Sequence, residues 1–296
     1  MKDLKEGALI FVCRSATTEK LVTKISTMAG VQLRSITGHL IRTAARKTNS
    51  YFVCGLSTTS GINNDVRSKT RGLKYEFLSE HRMTEAAVLI TEELLKHSPM
   101  IRHLKIPQHV YLQRNMALLE QAMRSGEALV AIDENSEKIV GVSVAVIVSS
   151  LDQFAYFVNP TACEQYRPVG LVASRLAGYF FEFEEIKTLQ STGEQFLGIE
   201  IGVIKESYWR TGLLTVLVNL SMESARLKGV RFVFARTVNT QGDLFMNKLN
   251  GFEELGEIFY RDFDIDGVKP FEDIDPQYKS AKIYICRSNL VPEAVS

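Results

Sequence analysis

Long hydrophobic runs, closely spaced cysteines and a strong net charge are all missing from this 296-residue sequence. Its longest apolar stretch, Ile139–Val148, has about ten residues, whereas a membrane-spanning helix needs about 18 or more. The four cysteines are too scattered for a zinc site or a disulfide framework, and we expect reduced, mostly buried thiols. The net charge of +1 gives no strong electrostatic attraction to nucleic acid or to a membrane surface. The sequence predicts a soluble, cytoplasmic protein that binds no nucleic acid, no membrane and no metal.

Several common catalytic motifs are also missing. The sequence has no Gly-x-Ser-x-Gly elbow, no Gly-Lys-Ser/Thr phosphate loop, no His-Glu-x-x-His zinc motif and no Gly-x-Gly-x-x-Gly dinucleotide motif. These absences disfavour serine hydrolases, P-loop nucleotide enzymes, zinc peptidases and dinucleotide-dependent oxidoreductases.

Charge is distributed unevenly along the chain. Residues 1–74 carry 13 Lys and Arg against 4 Asp and Glu, whereas residues 75–296 carry 22 against 30. No acidic residue occurs within 28–64. This composition predicts a basic, Ser/Thr-rich extension at 1–72, poorly ordered or separately packed, followed by one domain at 73–296. It leaves open mitochondrial targeting as an alternative to the cytoplasm, and a tail that binds nucleic acid or an anionic surface.

Apolar periodicity after the extension predicts alternating helices and strands. The predicted order is α, α, β, β, α, β, α, β, α, β, β, at 84–96, 108–125, 128–133, 138–149, 169–188, 196–203, 211–228, 231–236, 241–248, 254–264 and 281–287. A strand–helix–strand unit inside a mixed sheet implies a right-handed parallel crossover. The sequence therefore predicts an α/β fold.

The strand Phe196–Val203 and the loop after it carry the first sign of a ligand site. Strand alternation predicts that Gly198, Glu200 and Gly202 share one face, with the branched aliphatic residues on the other. Two glycines beside a carboxylate leave room for a ligand close to the backbone. The loop Lys205–Gly212 then enters a helix whose first N–H groups could bind phosphate. We expect a groove for an extended, phosphate-bearing cofactor, although Glu200 could also be an ordinary exposed residue.

The C-terminal third resembles a known family. The element order, the block Ile201–Phe263 and the run Gly251–Phe263 resemble the GNAT superfamily of acetyl-CoA-dependent N-acetyltransferases, most of all its arylalkylamine N-acetyltransferase-like branch of insects and nematodes. The fold pattern covers about residues 75–287. This resemblance implies a mixed, twisted sheet whose parallel central strands splay around a cofactor cleft, flanked by helices. It also implies acetyl transfer from acetyl-CoA to a small primary amine, with an arylalkylamine-like acceptor expected first.

The resemblance further implies which residues bind acetyl-CoA. In the family, the central strand hydrogen-bonds the pantetheine arm and the loop Arg/Gln-x-x-Gly-x-Gly/Ala cradles the pyrophosphate. The equivalent loop, Trp209–Leu214, has Gly212 at the central glycine but Trp209 and Leu214 at its first and last positions. Asn239 stands where the family often has an asparagine near the pantetheine. The predicted cofactor-binding residues are Ile201, Gly202, Val203, Arg210, Thr211, Gly212, Leu213 and Asn239.

Acetyl transfer needs a base that takes a proton from the amine and an acid that protonates the departing thiolate. We predict that Glu200 is the base, with His97 as an alternative at the end of the first helix. Tyr260 is the predicted acid. The N–H groups around Gly202–Val203 are predicted to stabilise the oxyanion.

Other positions depart from the family pattern. Ser98 replaces the glutamate that precedes a proline after the first helix, and Phe245 lies where a thiolate-protonating tyrosine is frequent. Together with Trp209 and Leu214, these departures motivate a second hypothesis, a catalytically degenerate GNAT-fold module that binds or regulates. The acceptor, the acyl chain and the oligomeric state are not indicated by the sequence.

Overall fold

The protein is described by a computed structural model that covers residues 72–125, 127–158 and 164–287, with the backbone alone for 156–158. The predicted basic extension, and with it any targeting segment, therefore lies outside the described residues apart from Gly72. Within the described part of the chain, no helix is both long and apolar enough to cross a membrane.

Seven strands and eight α-helices follow one another in these ranges. The strands are β1 Leu73–Phe77, β2 Ala128–Asp133, β3 Lys138–Val148, β4 Phe196–Ile204, β5 Phe232–Thr237, β6 Phe252–Phe259 and β7 Ser280–Arg287. The helices are α1 Met83–His97, α2 Pro99–His103, α3 Gln108–Ser125, α4 Leu151–Val158, α5 Arg167–Glu182, α6 Glu184–Gln190, α7 Leu213–Leu227 and α8 Thr240–Met246.

The strands form one mixed sheet in the order β1-β2-β3-β4-β5-β7-β6, in which only β4 and β5 are parallel. These two strands pair only from Phe196 with Phe232 to Ile199 with Ala235. Beyond that point β4 keeps only β3 as a neighbour and β5 keeps only β7. The sheet thus splays open between its parallel strands, which confirms the predicted fold class.

A β-bulge at Glu200 corrects the predicted faces of β4. Val144 of β3 pairs with Ile201 while the next residue pairs with Ile199, so Glu200 is the extra residue. An extra residue inverts the alternation beyond it. Ile199 therefore packs with the core around α7, whereas Ile201 packs with the core on the opposite face. The prediction that Gly198, Glu200 and Gly202 share a face is wrong, because a bulge is invisible to strict period-2 counting.

Aromatic rings fill the core on the face opposite α7. Phe180 of α5 lies 4.5 Å from Phe234 of β5 and 5.4 Å from Phe196 of β4, measured between ring centroids. The predicted helix 169–188 divides into α5 and α6 because Phe183 adopts an extended backbone. The short elements β1, α2 and α4 are absent from the predicted order, since few residues set their period.

Cysteine is described at one position. Cys286 of β7 is a free, buried thiol, and burial raises its pKa to about 11. This agrees with the expected reduced, buried thiol at that position. The remaining cysteines, Cys13, Cys54 and Cys163, lie outside the described residues.

Gly198 is required by close packing, and a substitution there tests the core. A Cβ atom on Gly198 would lie 2.6 Å from Cζ of the buried Phe234 ring. We expect Gly198→Ala to lower the free energy of unfolding by about 1–3 kcal/mol, because the ring has to shift. Gly178 of α5 is the control, since its Cβ would meet nothing within 4 Å. Gly178→Ala should stabilise by up to about 1 kcal/mol. Urea unfolding measures the free energy of unfolding of both variants. Equal changes in Gly198→Ala and Gly178→Ala would contradict the packing argument.

Candidate functional site

The loop between β4 and α7 has the backbone shape of an anion-binding turn. Gly212 is left-handed, with φ +83°, and Arg210 is also left-handed, with φ +63°. Left-handed residues next to right-handed ones turn successive N–H groups toward one point. Thr211 stabilises the turn, since its Oγ1 donates to the Tyr208 carbonyl at 2.7 Å and accepts from Leu213 N at 3.3 Å. The first turn of α7 contains no acidic residue.

The edge of β4 that faces the gap can be identified from its hydrogen bonds. Lys205 N donates to Val140 O of β3 at 2.9 Å. Because N–H directions alternate along a strand, Val203 also points its N–H toward β3, whereas Gly202 and Ile204 point theirs into the gap. The predicted oxyanion donor Val203 is therefore occupied within the sheet. Gly202 remains the better placed of the two.

Trp209 and Leu214 cover part of this edge. The indole Nε1 of Trp209 donates to Ile204 O at 2.9 Å, so it occupies a strand carbonyl that faces the gap. A Cβ atom on Gly202 would lie only 2.7 Å from Cδ1 of Leu214. Leu214 thus packs directly on the glycine, where the family usually has a small residue. The departures from the family pattern at Trp209 and Leu214 therefore narrow the expected cofactor groove along β4.

His97 lies at the mouth of the groove beside Trp209. The two rings contact edge to face, with centroids 4.7 Å apart. Nε2 of His97 is 3.7 Å from Oε2 of Glu93, one turn earlier on α1. Both atoms are buried, and neither has a hydrogen-bond partner among the described residues. Glu93 and His97 therefore form a loose acid–imidazole pair whose polar atoms remain free for a ligand or water.

Glu200 is buried where β4 and β5 part, rather than exposed. Its side chain is 1% exposed and forms an ion pair with Arg236 of β5 through Oε2, while Oε1 is buried without a partner in the described part of the chain. Sequence reasoning missed Arg236. An arginine inside the apolar strand Phe232–Thr237 was the available signal.

The other predicted residues are placed as follows. Tyr260 lies in a 3-10 turn after β6 and is fully buried, with its hydroxyl donating to Val238 O at 2.7 Å. Burial raises the pKa of Tyr260 above the usual tyrosine value. The Tyr260 proton is engaged by a backbone carbonyl, and the role of Tyr260 as the acid stays a prediction. Asn239 is the N-cap of α8, and its Oδ1 accepts from Gly242 N at 2.8 Å.

The loop is tied to the β2–β3 turn by one acidic residue. Oδ2 of Asp133 accepts from the Tyr208 hydroxyl at 2.6 Å, and its Oδ1 accepts from Ser136 N at 2.8 Å. These hydrogen bonds, led by that from Tyr208, lower the pKa of Asp133 to about 2. The same bond raises the pKa of Tyr208. The ionised carboxylate fixes where the loop begins.

The chain shares its fold with solved structures of N-acetyltransferases. The similar solved structures include arylalkylamine N-acetyltransferase 2 from Aedes aegypti, with a TM-score of 0.60 and 17% identity over 74% of this chain and 100% of that chain. Another is the Drosophila melanogaster polyamine N-acetyltransferase, which catalyses the formation of N-acetylagmatine. It has a TM-score of 0.59 and 13% identity over 73% of this chain and 99% of that chain.

A third similar structure is the C-terminal condensation domain of Ebony in complex with beta-alanyl-dopamine. It gives a TM-score of 0.56 and 14% identity over 73% of this chain and 98% of that chain. No family model matches the sequence, and no curated protein matches it significantly. At identities this low, the structural similarity establishes a shared fold alone.

The Asp133–Tyr208 bond generates a pH-dependent prediction. A carboxyl whose pKa is lowered by folding contributes stability that is present above its unfolded pKa, about 3.9, and is lost as the pH falls toward 2. Tyr208→Phe should raise the pKa of Asp133 and reduce this loss. Carboxyl NMR titration of both proteins measures the shift, and an unchanged Asp133 pKa would contradict the assigned cause. Tyr179→Phe is a control at an exposed tyrosine.

Proposed function

We propose that this protein is an acetyl-CoA-dependent N-acetyltransferase that acetylates a small primary amine. The observation that carries the proposal is the free edge of β4 beyond Ile199, which leads directly into the left-handed turn at Gly212. A strand edge can hydrogen-bond an extended amide chain, and a helix start with convergent N–H groups suits a pyrophosphate. The similar structures named above, described as acting on arylalkylamines or forming N-acetylagmatine, support amine acetylation.

The residues present fit acetyl-CoA, with a narrowed groove. Gly202 and Ile204 would offer backbone groups to the pantetheine arm, although Trp209 already occupies the Ile204 carbonyl. The turn from Arg210 to Leu213 would hold the phosphates, with the exposed Arg210 side chain adding positive charge. Asn239 makes no other side-chain hydrogen bond within the described residues, so its amide nitrogen is available to the same ligand. When bound, acetyl-CoA supplies an activated acetyl thioester.

Glu200 is the proposed base. Its unpartnered Oε1 would accept a hydrogen bond from the amine and then take its proton, while Arg236 fixes the other oxygen. The ion pair orients this carboxylate. The Glu93–His97 pair is the alternative base, since imidazole changes charge closest to neutral pH. With Tyr260 engaged by Val238, the departing group would be protonated by solvent.

The second hypothesis, a degenerate binding module, rests on Trp209 and Leu214. Both side chains occupy space that a cofactor would use, and displacing them costs free energy. Cofactor binding and turnover separate the two functions. The cytoplasmic location, with mitochondria as the alternative through the segment 1–72, stays a proposal based on composition.

The cofactor loop is tested by two glycines with the same backbone. Gly212 and Gly229 have φ of +83° and +84° and lie at opposite ends of α7. Valine at either position should cost a similar amount of stability, about 1–2 kcal/mol. Calorimetric titration of acetyl-CoA into the full chain should give micromolar affinity, about −8 kcal/mol. We expect at least tenfold weaker binding for Gly212→Val and unchanged binding for Gly229→Val.

Two results would be informative against this assignment. Equal affinities in both valine variants would remove the loop from the cofactor site. No binding by the unmodified chain at millimolar acetyl-CoA would favour the degenerate module.

The base is tested by a pair of conservative variants. We expect Glu200→Gln to lower kcat at least tenfold and to flatten the pH–rate profile while acetyl-CoA affinity is kept, because the variant keeps shape but cannot take a proton. His97→Gln should have a smaller effect, and His109→Gln, at an exposed position of α3, should have none. The reverse order of effects would assign the base to His97.

A further inference from the structure

Three charged side chains lie on the face of the sheet opposite α7, and we call them the buried ion cluster: Arg114, Glu200 and Arg236. Glu200 and Arg236 are in direct contact, and Glu200 acts on Arg114 through its charge. Arg114 comes from α3, Glu200 from the bulge of β4, and Arg236 from β5 just beyond its last pair with β4. The cluster therefore lies where the parallel strands part, next to the proposed point of amine attack.

Both arginines of the cluster contact neutral groups, and Arg236 is also held by an ion pair. The guanidinium of Arg236 pairs with Glu200 and lies 5.3 Å from the ring centre of Phe154. That of Arg114 lies 4.9 Å from the ring centre of Tyr166 and donates to Asn115 Oδ1 at 3.1 Å. The ring and amide contacts orient both guanidiniums, and only that of Arg236 is also paired with a carboxylate.

A chain of hydrogen bonds fixes Arg114 to the first helix. Nδ2 of Asn115 donates to Thr91 Oγ1 at 3.0 Å, and Thr91 Oγ1 donates to Ala87 O at 2.7 Å. Asn115 and Thr91 are almost completely buried. A polar chain this well buried and ordered positions Arg114 as rigidly as a core residue.

The cluster is not balanced by the described residues. The cluster holds two guanidiniums and one carboxylate, and Arg114 has no ion-pair partner closer than 4 Å in the described ranges. Nε of Arg114, Nε of Arg236 and Oε1 of Glu200 are all buried without a hydrogen-bond partner there. Each such atom costs roughly 1–3 kcal/mol, and a buried net charge costs more.

Arg114 keeps its charge despite burial. Burial by itself lowers the pKa of Arg114, but Tyr166, Tyr111 and Glu200 raise it overall. The Arg236 side chain keeps 12% of its surface exposed, whereas that of Glu200 keeps 1%. A small ligand entering the gap would meet two cationic groups and one free carboxylate oxygen.

We propose that the acceptor is an amino acid or a similar amine with its own carboxylate, rather than a simple arylalkylamine. Its amine would donate to Oε1 of Glu200, and its carboxylate would accept from Arg114 and Arg236. The free atoms of the cluster match these two groups, one acceptor for the amine and two donors for the carboxylate. This proposal rests on the proposed function and names its substrate class.

The carboxylate that binds the two arginines could instead belong to the transferred acyl group. The cluster favours the acceptor, because Glu200 offers a free oxygen for an ammonium or amine at the same place. A dicarboxylic acyl group would satisfy the arginines but leave that oxygen without a donor.

The test compares acceptors that differ only in the carboxylate. The full chain is assayed with acetyl-CoA and either phenylalanine or phenethylamine. We expect kcat/KM to be at least tenfold higher for phenylalanine, and Arg114→Met to abolish this preference while Arg114→Lys keeps part of it. Arg175→Met is the matched control, since Arg175 also stacks on an aromatic ring, at 4.6 Å from Phe263, but lies on the exposed side of α5.

Binding without turnover separates this proposal from the proposed function. 3-Phenylpropionate should bind the full chain in calorimetry at least tenfold more tightly than 3-phenylpropanol, with the difference lost in Arg114→Met. If neither amine is acetylated but this difference is found, the acetyltransferase function fails and the carboxylate site stands. If Arg114→Met does not fold, the same two comparisons, phenylalanine with phenethylamine and 3-phenylpropionate with 3-phenylpropanol, are made on the unmodified chain and on Arg236→Met. Loss of both preferences in Arg236→Met would then support the carboxylate site.

Two outcomes would overturn the proposal. One is a preference of the unmodified chain for phenethylamine together with equal affinities for 3-phenylpropionate and 3-phenylpropanol. The other is a loss in Arg114→Met that occurs only with succinyl-CoA and phenethylamine, which would place the carboxylate on the donor.

Discussion

The site depends on where the parallel strands β4 and β5 stop pairing. A sheet whose central strands part leaves main-chain N–H and C=O groups without partners inside the molecule, which is costly unless something binds there. The bulge at Glu200 lies at this same point and inverts the faces of β4 beyond it. It sends Gly202 toward α7 and the Glu200 carboxylate toward the other side of the sheet. One extra residue thus separates the surface proposed for the cofactor from the cluster proposed for the acceptor.

The surroundings of this opening combine rigidity with restricted space. Asp133 anchors the loop through Tyr208, and Gly212 takes the left-handed conformation that starts α7. Trp209 and Leu214 then occupy part of the groove that the loop helps to form. The opening is preorganised in its backbone, because glycine and hydrogen bonds set that shape, but its width depends on two large apolar side chains.

Much of the fold was predictable from the sequence. The helix at 108–125 and the strands at 128–133 and 281–287 agree with the structure to within one residue, because long apolar periods and clear turn residues bound them. The short elements and the break at Phe183 were missed, since a few residues do not define a period. Gly212 and Asn239 were found as motif positions, but the capping bond of Asn239 was not foreseen.

The sequence by itself determined the class of fold, the position of the central strand and the loop that follows it, because these depend on local periodicity and on residues with special backbone preferences. The tertiary structure alone decided which side chains meet at the opening. Arg114 and Arg236 are 122 positions apart in the chain, and no local pattern relates them to Glu200. Their meeting follows from strand register, a bulge and helix packing, all of which are long-range.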